Sequence, residues 1–115
     1  MSNNRISKLN SLVKEELAKI IQKEIDFEEG TLVTIYKVEV SSDVAHANIR
    51  ISVIPDENEK KALERLKENV FHLQQELNKK LILRKVPKIR FVLDDSIKRA
   101  AEMEKLFKKV DKSSY

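Results

Sequence analysis

The stretch Lys37–Pro55, KVEVSSDVAHANIRISVIP, decides how the rest of the chain is read. Within it Ala47, Ile49, Ile51 and Val53 alternate with His46, Asn48, Arg50 and Ser52. Alternation at period two marks a strand with one face buried and the other wet. The strand spans about Ala45–Ile54, and Pro55 ends it by removing a ladder donor. The preceding run, Leu32–Val40, is its natural antiparallel partner. Ser41-Ser42-Asp43 joins the two, because Ser and Asp side chains hydrogen-bond nearby backbone groups in short turns. This hairpin is expected to be the floor on which the helices lie.

A helix is predicted ahead of it, over about Asn4–Ile25. Ile6, Leu9, Leu12, Val13, Leu17, Ile20, Ile21 and Ile25 recur three and four apart, which makes one apolar stripe. Asn3 or Asn4 could cap its start. Asp26–Gly30 is a break, and Gly30 can take the positive φ of a chain reversal. In the first strand Leu32, Tyr36, Val38 and Val40 fall on one face, with Val33 and Ile35 opposite. Its start is therefore expected to be covered on both sides or to border a partner.

A second helix is predicted over about Asn58–Ile82, with its seam at Leu63, Leu66, Val70, Leu73, Leu77 and Leu81. The seam is read as core packing, with a coiled-coil strip as the alternative. The helix is much longer than the mean of about 12 residues, so a bend is plausible, and Asn69 is the weak helix former near its middle. Pro87 pushes Val86 into extended backbone. A third strand, Lys88–Leu93, turns Ile89, Phe91 and Leu93 inward and Lys88, Arg90 and Val92 outward. Asp94-Asp95-Ser96 closes that strand and caps a last helix over about Ile97–Val110, followed by a frayed tail. The order α-β-β-α-β-α predicts a single two-layer α+β domain, with both long helices on one face of the sheet. If the second and third strands lie parallel, their crossover is right-handed.

Composition narrows the chemistry. The 115 residues contain no cysteine, which removes disulfides, thiolate nucleophiles and cysteine-based zinc sites, and fits a reducing cytoplasm. Gly30 is the single glycine, so no glycine-rich phosphate loop exists. No apolar run approaches the roughly 20 residues that span a bilayer, and the amino terminus lacks the apolar core of a secretion signal. A soluble cytoplasmic protein is expected. His46 and His72 show no metal-ligand spacing to a second ligand, and a general base needs a positioned partner. Asp94-Asp95 could be a carboxylate pair and Ser41-Ser42-Asp43 part of a triad. Strand-end capping and a turn explain them with less strain. No catalytic site, cofactor, metal or small-molecule substrate is expected.

The net charge of +4 and pI near 9.3 favour polyanionic partners. From Leu77 to Leu93 the chain carries Lys79, Lys80, Arg84, Lys85, Lys88 and Arg90 without one acidic residue. Cations also suit a helix C-terminus, but a single-sign stripe that continues onto a strand exceeds that need. These six are candidate phosphate contacts with a salt-dependent affinity. Arg50, outward on the second strand, is a secondary candidate. The exposed positions of the second and third strands hold no aromatic on which bases could stack.

Two motifs add a resemblance. Val38–Val53, VEVSSDVAHANIRISV, resembles the hairpin of the ribosome-binding factor A family, with a Val-Ser-x-Asp turn and an alternating strand that starts on small Ala. Arg84–Ile97, RKVPKIRFVLDDSI, resembles the same family's Arg-x-Val-Pro strand ending in Asp-Asp/Asn-Ser. The amphipathic first helix matches in place and length. The resemblance implies a type II KH-like domain over residues 1–115, with its core at about 4–110, a kinked second helix and an added C-terminal helix. It also implies a cytoplasmic, non-enzymatic factor without cofactor. Such a factor binds the immature 30S subunit and its 16S rRNA, assists late rRNA processing and supports growth in the cold. The family replaces the Gly-x-x-Gly loop of other KH domains with an Ala-x-Gly kink, and the corresponding positions here are Asn69, Val70 and Phe71. A monomer is expected. The alternative is a protein-interaction or homodimerisation module that uses the start of the first strand or the second-helix seam.

Overall fold

The alternating strand is the centre of the sheet. The computed structural model describes residues 2–94; the expected last helix and tail lie outside them. Strand β2 (His46–Ile54) pairs antiparallel with β1 (Leu32–Val40) and parallel with β3 (Lys88–Leu93), in the order β1-β2-β3. The inward residues of β2, Ala47, Ile49, Ile51 and Val53, are at most 3 % exposed.

The first strand departs from simple alternation for a local reason. Its register with β2 shifts between Ile35 and Lys37, leaving Tyr36 as the extra residue of a β-bulge. The bulge resets the phase, so Ile35, Val38 and Val40 all face the core, with Val33 half-buried against it. Leu32 and Tyr36 are exposed. The expectation of a strand start covered on both faces is corrected: the second apolar face is an artefact of counting through the bulge.

Helix α1 (Ser2–Glu24) begins before Asn3 and Asn4, which therefore lie inside it rather than at its cap. It buries Val13, Leu17, Ile20 and Ile21 against β1 and the helix that precedes β3, but Leu12 is 39 % exposed and leaves the stripe. Gly30 turns the chain into β1 at φ +83. Arg65 donates to the Asp26 carbonyl at 2.6 Å and Asn58 to the Thr31 hydroxyl at 2.8 Å, tying this connection to the second helical region.

That region is two helices, α2 (Glu59–Glu68) and α3 (Val70–Lys80), separated by Asn69 at φ −104, ψ 8. The Asn69 side-chain amide folds back and donates to the Arg65 carbonyl at 2.7 Å. Short polar side chains offer the backbone this alternative to the helical ladder. The ladder restarts with the Leu73 N–H on the Asn69 carbonyl at 2.9 Å. Leu66, Leu73 and Leu77 are fully buried, so the seam is core rather than a coiled-coil strip. α1, α2 and α3 lie on one sheet face, and the face bearing Asn48, Arg50 and Ser52 carries no described helix.

Helix side chains tie down both outer strands. Asn10 Oδ1 accepts from the Val40 N–H at 2.8 Å. Gln74 Oε1 accepts from the Ile89 N–H at 2.9 Å, while its amide donates to the Pro87 carbonyl at 3.2 Å. Each contact satisfies backbone groups that an edge strand would otherwise present unpaired. The hairpin turn is similarly bonded. The Ser41 hydroxyl donates to Asp43 Oδ1 at 2.7 Å and accepts from the Ala45 and His46 N–H groups. These bonds hold Val44 at φ +59, an uncommon conformation for a β-branched residue.

Two outcomes are expected. Gln74→Ala strands the Ile89 donor and lowers stability by about 1–2 kcal/mol in urea unfolding. The Ser41 hydroxyl, then the Ala45 N–H, hold the Asp43 carboxyl below its ordinary pKa. Its contribution to stability is therefore present above the ordinary carboxylate pKa of about 4 and fades as pH falls through the lowered value. The gap in urea midpoint between the native chain and Asp43→Ala should be widest at neutral pH and narrow in acid.

Candidate nucleic-acid interface

The structure divides the basic run into three places. α3 ends at Lys80, and Leu81 is already extended at φ −94, ψ 117. Side chains that advance about 100° per residue on a helix then alternate on a strand, so cations adjacent in sequence turn to different sides. Lys79 pairs with Glu76 at 3.3 Å. Lys80 borders a cleft between α1 and α3 that also holds Glu16, Glu24 and Glu76. Arg84 and Lys85 face α1 across a separate groove, beside Arg5 and Lys8. Lys88 and Arg90 project from β3. Lys80, the pair Arg84 and Lys85, and the pair Lys88 and Arg90 thus line three different clefts. Arg50 is also engaged: its Nε donates to Glu39 Oε1 at 2.6 Å, so much of its charge is spent on a neighbouring carboxylate.

Lys88 and Arg90 acquire different neighbours. With Lys67 of α2, Val70 at the helix interruption and His46 of β2, they line an open groove of about 310 Å³ whose apolar wall is Ile89 and Phe91. Among the described residues no carboxylate lines it. The parallel register places His46 opposite Lys88 and Asn48 opposite Arg90, and Arg90 Nε donates to Asn48 Oδ1 at 3.3 Å. Lys67 enters the groove from the last turn of α2, two residues before the interruption at Asn69. Sequence reasoning missed Lys67 and His46, since their contribution depends on where α2 ends and how β3 registers on β2. It also missed Phe71, the most exposed aromatic among the described residues at 73 %, in the first turn of α3. Phe71 follows the groove residue Val70 in the chain, and an exposed ring has the chemistry to stack on a base.

Other constellations are weaker. The Ser41–Asp43 bond belongs to the turn, where the hydroxyl also accepts from backbone N–H groups rather than facing a histidine ring. His72 does gain partners that its sequence position did not reveal. Its ring lies 3.3 Å from Glu24 Oε2, and ligand atoms of Glu24, His72 and Glu76 all fall within 4.8 Å of one another. Glu76 is already paired with Lys79, and two of the three residues are exposed, so an ordinary surface ion-pair cluster accounts for them. No described helix is long and apolar enough to cross a membrane.

Comparison with known proteins supplies the family. The family model for ribosome-binding factor A matches residues 5–107. The chain is 40 % identical to ribosome-binding factor A of Pseudomonas paraeruginosa over 92 % of its own length and 85 % of the relative's. It is 30 % identical to that of Akkermansia muciniphila, over 96 % and 88 %. The crystal structure of ribosome-binding factor A from Thermus thermophilus superposes with a TM-score of 0.68 at 24 % identity, covering 76 % of this chain and 93 % of that one. Coordinates of the Thermus protein fitted into a cryo-electron-microscopy map of its 30S complex give a TM-score of 0.62 at 23 % identity, with the same coverage. At these identities the structural likeness speaks for the mixed α+β fold, while the family model and the sequence relatives speak for descent. The chain belongs to the ribosome-binding factor A family.

Proposed function

We propose that this protein binds the small ribosomal subunit in the cytoplasm, as a monomer, through its 16S rRNA, and assists late rRNA processing. The groove along β3 is the contact we favour. The observation that carries this reading is the convergence of Lys67, Lys88 and Arg90 at the helix interruption, in a groove that no carboxylate lines among the described residues. The neighbouring Thermus protein, fitted into a map of its 30S complex, supports the choice of particle. The break at Asn69 supports a KH-like reading in which Asn69-Val70-Phe71 serves where the family has its kink. Cations there neutralise phosphates, and Phe71 supplies a stacking surface that the strands lack. Lys79, Lys80 and Arg50, each beside a carboxylate, contribute less. Such a factor needs no bond-making chemistry: it docks and leaves.

The dimer reading has less support. The seam it would use is core, and the two-sided strand start is the product of a bulge.

Co-sedimentation with immature small subunits tests the proposal. Lys67→Glu, Lys88→Glu and Arg90→Glu together should abolish binding near physiological salt. Milder neutralisation of the same three should flatten the log-affinity against log-salt slope by about 2–3. Reversal of Lys79 and Lys80 should change binding far less. Equal losses from both sets, or none from the first, would remove the groove from the interface. Phe71→Ala should weaken binding to a single-stranded 16S fragment by about 1–3 kcal/mol in fluorescence anisotropy, without lowering thermal stability.

A further inference from the structure

The cations left out of the β3 groove are not idle on a polar surface. Arg84 and Lys85, with Arg5 and Lys8, rim a second groove of about 440 Å³ between the first turns of α1, the β1–β2 turn and the α3–β3 connection. Its floor is aliphatic: Ile6, Leu9, Leu12, Val44 and Leu83. Leu12 and Leu83 are 39 % and 43 % exposed, and the neighbouring Ile82 is 99 % exposed. Burying these side chains would remove apolar surface from water, the driving force for association. Leu12 belongs by spacing to the core stripe of α1, yet it opens onto this groove. Val44 enters its wall from the left-handed conformation imposed by the bonded turn.

The lining distinguishes between classes of partner. RNA would use the cations but gain little from an aliphatic floor, because among the described residues no aromatic ring lines the groove for a base to stack on. A protein segment with apolar residues on one side and carboxylates beside them uses both. The rim carries four cations against the single carboxylate of Asp43, which is already bonded to Ser41 and the Ala45 N–H. The chain's own remaining amphipathic stretch, Ile97–Val110, has five basic residues against two acidic ones, so like charge opposes it as the occupant. We infer that this groove docks an acidic amphipathic segment of a partner protein, laid with its apolar side on Leu9, Leu12 and Leu83 and its carboxylates toward Arg5, Lys8, Arg84 and Lys85. Helix-in-groove recognition of this kind reads residues spaced three and four apart. The inference does not rest on the β3 groove binding RNA.

The test is fluorescence anisotropy on the full chain. The probe is a labelled peptide with Leu at helical i, i+3, i+4 and i+7 positions and Glu elsewhere, compared with a scrambled peptide of the same composition. The patterned peptide should bind about tenfold more tightly than the scrambled one. Leu12→Ser with Leu83→Ser, and separately Arg84→Glu, should each weaken it about tenfold. Both alter exposed side chains, and circular dichroism confirms folding. Lys88→Glu with Arg90→Glu should leave peptide binding unchanged. Equal binding of the two peptides overturns the inference. So does displacement of the peptide by polyuridylate together with loss in the Lys88/Arg90 variant, which would make the groove part of an RNA surface. Concentration-dependent dimerisation in light scattering that is lost in Leu12→Ser/Leu83→Ser would assign the groove to a second copy and also overturn it.

Discussion

β2 is hydrogen-bonded on both sides, antiparallel to β1 and parallel to β3, and its four inward residues are almost wholly withdrawn from water. A one-residue slip in its register would turn every inward side chain to solvent. The position of each surface group described above therefore follows from this strand. His46 meets Lys88, Asn48 meets Arg90, and Glu39 can reach Arg50 because the core face of β2 admits a single phase.

The helices convert that register into a site. α1 covers β1, and the Asn69 break lets α2 and α3 each lie along the sheet. A straight helix over the same residues would keep one continuous seam. The interruption lets α2 end beside β3 with Lys67 near Lys88 and Arg90, while Gln74 of α3 fixes the start of β3. Packing and recognition thus share one feature.

Charge placement follows the same logic. Six cations consecutive in sequence serve three environments, because the chain passes from helix to extended connection to strand while carrying them. Beside carboxylates, Lys79 and Lys80 are part of a mixed surface. Next to an aliphatic floor, Arg84 and Lys85 acquire the character of a protein-docking rim. Along β3, Lys88 and Arg90 share a groove whose described lining holds no carboxylate, while Arg90 also borders a cleft that contains Glu39. Net charge announces a polyanionic partner, but only local neighbours say where it would sit.

The sequence by itself determined the hairpin, all three strands, the amphipathic character of the described helices and the family. Periodicity and turn chemistry act over a few residues and are written locally. It also located the weak point at Asn69, though not that the side-chain amide would cap the preceding turn and divide the helix. Tertiary structure decided the rest. The bulge at Tyr36 is invisible to a count at period two, because the extra residue is defined only against β2. Lys67, His46 and Phe71 gain their neighbours or their exposure from packing, and Leu12 leaves its stripe because no described element covers it. These depend on distances between residues far apart in the chain, which no local pattern encodes.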